Sequence, residues 1–287
     1  MMRFEYVKPA TLDEAVAFLA AHPGTARAMA GGTDLMVQIR AGSRRVSGLE
    51  YVVDLGGLEA LRGIRADGDT VTVGALTTHA EVAASPAVRS AAPLLADACG
   101  KVGGPQTRNL GTVGGNLCNA SLSADSVTAL AVLDAVAHIT GPDGVREAPV
   151  AGVLAGNERT NLGAGEILTH LSFRALPAGC ACSFVKLGRR KAMSIARLNV
   201  AVILEREGAR IRAARIAVGA AFPTTRRVPG AEALLSGAEP TPELFAAAGA
   251  EAGRAMVEAT GVRWSTEYKQ PVLETLVSRA LAQALEG

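Results

Sequence analysis

The run Asn109–Asp125, NLGTVGGNLCNASLSAD, decides how the rest of the chain is read. Glycine, asparagine and serine crowd it, and no apolar run in it is long enough for a strand, so it reads as a loop. Ordering such flexible backbone costs conformational entropy, which a bound group can offset. A second glycine pair lies upstream in AGGTDL, residues 30–35. Adjacent glycines let successive N–H groups turn inward as an anion nest, with no Cβ to obstruct a phosphate. Thr33, Thr112 and Asn116 add side-chain hydrogen-bonding groups to the two loops. No GxxxxGK[ST] pattern is present, which excludes a P-loop, and neither loop reads GxGxxG after a strand. Singly, each pair fits a tight turn. Together, with Asp125 nearby, they point to a dinucleotide clamp. The Asp125 carboxylate can accept from a ribose hydroxyl or cap the helix that follows, and the residues alone leave both open.

Outward from this run, the elements alternate. PATLDEAVAFLAAHPG (9–24) predicts a helix capped by Thr11 and Glu14, with Leu12, Val16 and Leu19 buried and Pro23-Gly24 as its stop. ARAMAGGTDL and YVVDL predict strands flanking loops, and DTVTVGALTTHAEVAAS a strand running into a helix boxed by Thr78 and Glu81. SVTALAVLDAVA, from Ser126 to Ala137, predicts a buried helix, and AHITGPDGVREAPV a hairpin turning at Pro142-Asp143-Gly144. Beyond Leu176-Pro177 the texture changes. CSFVKLG and NVAVILEREGARIRAARIAVGAA predict three strands, followed by a helix capped at Thr241 and another starting at Pro271. The chain reads as α+β with a boundary near residue 176.

The chain has 287 residues, enough for two domains, and its 49% hydrophobic content argues for a packed core. With 29 basic and 27 acidic residues the net charge is +2, so nothing marks a polyanion partner. The basic clusters at 44–45, 188–191 and 226–227 are short, and with aromatics at only 3% they read as solvated loops rather than a nucleic-acid groove. The amino terminus lacks the apolar stretch of a secretory signal, and no apolar run reaches membrane-spanning length. Cys99, Cys118, Cys180 and Cys182 form no CxxC, and His22, His79, His138 and His170 are scattered, so no metal site is expected and a cytoplasmic, reduced chain is.

At this point the residues resemble a family, the FAD-binding medium subunits of the molybdenum hydroxylases, such as those of xanthine, nicotinate and carbon monoxide dehydrogenases. FEYVKPATLDEAVAFL resembles the family's opening strand and helix, AGGTDLMVQIR its first FAD loop, and TRNLGTVGGNLCNASLSADS its second. EILTHLSF, FVKLGRRKAMSIARLNVA and TEYKQPVLETLVSRAL are similar to later segments, so the resemblance covers essentially the whole chain. NASLSADS and FVKLGRRKAMSIARLN lean toward the xanthine and nicotinate branches.

The resemblance implies a PCMH-type FAD-binding domain over 1–176, with subdomains of about 1–57 and 58–176, and a C-terminal flavoprotein domain over 177–287 with a three-stranded antiparallel sheet and helices. It implies that Met29, Ala30, Gly31, Gly32, Thr33, Asp34, Leu35 and Met36 wrap the FAD pyrophosphate from one side, and Thr112, Val113, Gly114, Gly115 and Asn116 from the other. Asp125 falls where the family directs a carboxylate at the cofactor, Lys186 near the flavin end, and Leu168 against the isoalloxazine or adenine, with Val102 a further contact. On composition alone Lys186 is a solvated lysine and Leu168 ordinary core. No catalytic acid or base is expected in this chain. The implied partners are a small [2Fe–2S] subunit and a large molybdopterin subunit in a dimer of heterotrimers, with electrons passing through FAD to NAD, a quinone or oxygen. Two other readings stand beside this one, a stand-alone flavin oxidase or reductase and a non-enzymatic assembly subunit.

Overall fold

The computed structural model describes residues 3–190 and 192–286, and all statements below concern these. The first unit is a small parallel sheet. Strand β1 (Glu5–Val7) leads into helix α1 (Leu12–Ala21), whose Thr11 hydroxyl accepts the Glu14 N–H. Strand β2 (Ala26–Met29), helix α2 (Leu35–Arg40) and strand β3 (Tyr51–Asp54) follow, and β3 lies between the other two strands, parallel to both. Val16 and Leu19 of α1 are buried and Leu12 packs beside them.

The second unit is built on an antiparallel sheet. Its hairpin of β4 (Ile64–Asp67) and β5 (Thr70–Gly74) runs into α3 (His79–Ala84), where Thr78 and Glu81 form the expected capping box. Four short helices pack in succession: α4 (Pro86–Ala91), α5 (Pro93–Gly100), α6 (Pro105–Leu110) and α7 (Val113–Asn119). Helix α8 (Asp125–Val132) is buried on every side, but it stops five residues short of the expected Ala137. Asp134 takes a left-handed φ of 51°, and its carboxylate is held by Arg227 at 2.8 Å, so the chain turns there into strand β6 (Val136–Gly141). The hairpin to β7 (Gly144–Pro149) forms as expected, then come the short α9 (Val150–Val153), β8 (Leu154–Gly156) and β9 (Arg159–Thr160). Strand β10 (Ile167–Arg174) closes the sheet in the order β4-β5-β10-β6-β7.

The last unit is an antiparallel meander of β11 (Ala181–Gly188), β12 (Ala196–Glu207) and β13 (Arg210–Gly219). A two-residue strand β14 (Arg226–Arg227) extends the expected three-stranded sheet to four. Three helices cover it rather than the two read from sequence: α10 (Pro229–Leu235), α11 (Pro242–Thr260) and α12 (Thr266–Glu286). Pro271 sits inside α12, not at its start, because Thr266 opens the helix one turn earlier by accepting the Arg263 N–H on its hydroxyl.

Strand β12 has two apolar faces, and this positions everything else. Leu198, Val200, Val202 and Leu204 face α11 and α12. Ala201 and Ile203, on the alternate face, join the core formed by α5, α8 and the second sheet. The C-terminal sheet is therefore one wall of the core that carries the glycine-rich segment.

Candidate functional site

The segment read as a loop is largely helix. Thr112 is the N-cap of α7, with a hydroxyl that accepts the Gly115 N–H at 3.0 Å, so GTVGGN forms a capped first turn. The turn is pinned to the end of β5. Val113 donates its N–H to Thr77 O and Gly114 donates to Ala75 O, both at 3.0 Å, while Asn116 N–H reaches Thr112 O at 2.9 Å. Four successive N–H groups are thus engaged inside the protein, and the expected nest does not exist at this glycine pair. Gly114 is required for packing instead: a Cβ there would lie 2.6 Å from the Ala75 carbonyl oxygen. What this segment offers outward is the Thr112 hydroxyl and the Asn116 side chain, whose Oδ1 already accepts from Ser126.

The first glycine pair differs from the second in leaving its backbone donors unengaged. Among the described residues the N–H groups of Gly31, Gly32, Thr33 and Asp34 have no acceptor. Gly32 takes a φ of 67°, which turns the chain into α2. Gly31 lies against the end of α6 so closely that a Cβ would meet Leu110 O at 1.7 Å. The two segments therefore touch, and a Cβ on Gly111 would lie 3.3 Å from the Thr33 hydroxyl and 3.5 Å from His79 Cδ2.

Between them runs a cavity of about 520 Å³, within the usual range for cofactor pockets. Of the residues expected to bind, Met29, Ala30, Gly31, Gly32, Thr33, Asp34, Leu35, Val102, Thr112, Gly114, Gly115, Asn116 and Leu168 line it. Met36, Val113, Asp125 and Lys186 do not. Met36 supports the first loop, its Cγ 3.4 Å from a Cβ built on Gly32, and Val113 is core at 1% exposure. Ile167 and Leu168, at the start of β10, both line it, and the strand is bulged just beyond them, between Leu168 and His170. Burial pushes the Asp34 carboxyl upward in pKa, with Arg45 opposing. Arg45 bridges the rim, donating to Asn119 Oδ1 at 3.2 Å and pairing with Glu158 at 3.5 Å.

His79 is one of the cavity residues that sequence reasoning missed, with Arg45, Gln38 and Asn119 among the others. It is 2% exposed, its Nδ1 has no hydrogen-bond partner, and its N–H donates to Gly111 O. Burial, and next the charge of Arg108, lower its pKa to about 4, so the imidazole is neutral at pH 7. The signal was its place directly after Thr78, at the first position of a capped helix.

Asp125 and Lys186 face each other rather than the cavity. Lys186 Nζ lies 2.5 Å from Asp125 Oδ2 and 2.8 Å from Lys101 O, and Asn199 donates to the other carboxylate oxygen at 2.9 Å. The Thr128 hydroxyl donates to Asn199 Oδ1 at 2.8 Å, completing a buried network between α8 and β12. Lys186 is thus no solvated lysine, its side chain being 11% exposed. Asp125 makes no capping hydrogen bond. Burial raises its pKa, while Lys186 and Asn199 oppose the rise.

The model of the FAD binding domain in molybdopterin dehydrogenase matches residues 2–174. The chain belongs to that family. The CO dehydrogenase flavoprotein C-terminal domain matches residues 183–284. The carbon monoxide dehydrogenase medium chain of Hydrogenophaga pseudoflava is 33% identical over 283 residues, covering 98% of this chain and 97% of that one. The nicotine 6-hydroxylase medium subunit of Paenarthrobacter nicotinovorans is 30% identical, covering 97% and 96%. A solved structure of carbon monoxide dehydrogenase from Hydrogenophaga pseudoflava superposes with a TM-score of 0.93 at 31% identity, covering 99% of this chain and 98% of that one. As a member of the FAD-binding family the chain is an oxidoreductase subunit of the flavoprotein type, with the PCMH-type fold and the flavoprotein C-terminal domain. The cavity fits FAD: its free N–H groups and glycine approach suit a pyrophosphate, and the buried Leu168 and Ile167 offer apolar surface to a ring.

Proposed function

We propose that this chain carries FAD in the 520 Å³ cavity and relays electrons within a molybdenum hydroxylase assembled with a small [2Fe–2S] subunit and a large molybdenum subunit. FAD, when bound, supplies the redox chemistry, accepting electrons from the iron–sulfur clusters and passing them to an external acceptor. The protein's part is position and shielding. The observation that carries the reading is the row of unengaged N–H groups from Gly31 to Asp34, in residues that line the same cavity as Thr112. Those four groups are proposed to hold the pyrophosphate, with the Thr112 hydroxyl and the Asn116 amide on the opposite side. Leu168 and Val102 contact the rings. The Asp125–Lys186 pair then acts as a support behind the site, fixing the segment of Lys101 that leads to Val102. The carbon monoxide dehydrogenase and nicotine 6-hydroxylase relatives are medium subunits, which supports a heterotrimer. A dimer of such heterotrimers, in the cytoplasm, is part of the proposal. Identities of 33% and 30% to enzymes of different substrates support no single branch.

The test is the visible absorbance of the gently purified chain, with the released flavin identified by chromatography. Bands belonging to FAD are expected. A colourless chain that takes up no added FAD would overturn the proposal.

A further inference from the structure

We propose that the exposed patch around Trp264 docks a partner subunit, through a face of that subunit that is apolar at its centre and lined with carboxylates. Trp264 is the one tryptophan of the chain, and it is 97% exposed in the connection between α11 and α12. Val262, in the same connection, is exposed as well. The patch continues onto the start of β12. There the Arg197 guanidinium lies 5.7 Å from the centroid of the half-exposed Tyr268 ring, and Ile195, just before the strand, is exposed. None of these residues lines the cofactor cavity. Cations accompany the apolar surface. Burial, and next the charges of Arg263 and Arg197, lower the pKa of Lys269, so the three basic groups stand close together. Among the described residues none of the three forms an ion pair, and neither does Glu267, exposed in the same helical turn as Lys269.

The connection that carries Trp264 is already ordered. Gly261, at a φ of 68°, turns the chain out of α11 and donates its N–H to Val257 O at 2.8 Å. Arg263 donates its N–H to the Thr266 hydroxyl at 2.8 Å and its Nε to Thr260 O at 3.0 Å. Docking therefore has little backbone left to freeze. Single apolar residues scattered over a surface are ordinary, but here Trp264, Tyr268, Ile195 and Val262 gather around unpaired cations. Trp, Tyr and Arg are the side chains that carry most of the binding energy at protein interfaces. A second copy of this chain fits poorly, because a two-fold contact would set three cations against three. Carboxylates fit well, since a guanidinium takes both oxygens of one at once. This inference rests on the assembly reading above and deepens it, by placing a subunit contact away from the cofactor.

The single tryptophan makes the test direct. The full chain is produced with 5-fluorotryptophan, which gives one fluorine resonance, and is titrated with the unlabelled small and large subunits of its complex. On assembly that resonance should shift, and its isotope shift between water and deuterium oxide should vanish as the indole loses solvent. Trp264→Ser should weaken subunit binding by roughly tenfold or more. The pair Arg197→Glu and Arg263→Glu should weaken it too and flatten its dependence on salt. Both variants alter exposed positions and should keep the flavin content of the parent. A complex that forms while the fluorine signal stays that of the free chain would overturn the inference and leave the assembly reading standing. So would Trp264→Ser binding as tightly as the parent. A response to phosphatidylglycerol vesicles or to a single-stranded oligonucleotide, with none to the subunits, would overturn it in favour of a membrane or nucleic-acid face. A chain that joins no subunit at all would overturn the assembly reading, and this inference with it.

Discussion

Replacing Gly31 by alanine tests whether the first loop holds its ligand through backbone position. The added methyl would stand 1.7 Å from Leu110 O. Carbon and a carbonyl oxygen settle at roughly 3.3 Å, so the two segments must part by about 1.5 Å. Neither partner is a flexible side chain; both are backbone. A displacement of that size carries N–H groups from about 3 Å to beyond hydrogen-bonding distance of a ligand oxygen. Losing two charge-assisted hydrogen bonds, at about 1.5–3 kcal/mol each, weakens binding by about two to four powers of ten. Gly32→Ala is the matched control. Its Cβ would meet only side chains, the Met29 sulfur and Met36 Cγ at 3.4 Å and Met29 Cγ at 3.7 Å, and its φ of 67° costs about 1–2 kcal/mol of stability. Flavin content and FAD dissociation constants of the two variants decide the matter. Gly31→Ala should purify without flavin and Gly32→Ala with it. Equal flavin content in both would refute the argument from close approach.

Further expectations follow from the same geometry. Asp125→Asn should cost about 3–5 kcal/mol in denaturant unfolding, because it strands the buried Lys186 ammonium, and adding Lys186→Met should recover much of the loss. His79 binds a proton in the unfolded chain below about 6.5 but in the folded one only near 4. Its contribution to stability is therefore full above pH 6.5 and disappears as the pH falls toward 4, by on the order of 3 kcal/mol. Unfolding curves of His79→Gln across that window should show a visibly shallower acid slope than the parent. Gly219→Ala would put a methyl 2.1 Å from Asn199 Oδ1 and 2.5 Å from the Thr128 hydroxyl. A loss of about 1–3 kcal/mol in thermal unfolding is expected, and an unchanged melting temperature would show that the network can yield.

Local chemistry made much of the fold legible. The Thr78–Glu81 box, the Thr241 cap and the hairpin at Pro142–Gly144 are short-range devices, and each appears where its residues stand. Tertiary contact decided the rest. Asp134 ends α8 because Arg227, far along the chain, holds its carboxylate. The GTVGGN turn became helix because Ala75 and Thr77 offer carbonyls to its N–H groups, which no local pattern announces. The same holds for the candidate site. The glycines declared a close approach, but whether that approach was to a ligand or to a neighbouring segment depended on what folds against them. Lys186 and Asp125, far apart in sequence, lost their separate meanings when they met.

The two-faced strand β12 has one more consequence, for how such a chain can vary. Side chains alternate along it between two cores, with Leu198, Val200 and Val202 in one and Ala201 and Ile203 in the other. Inserting or deleting one residue there would exchange the occupants of both at once, and would carry Asn199 away from Asp125. Length changes among descendants of this sequence should therefore be tolerated in exposed connections and purged from this strand.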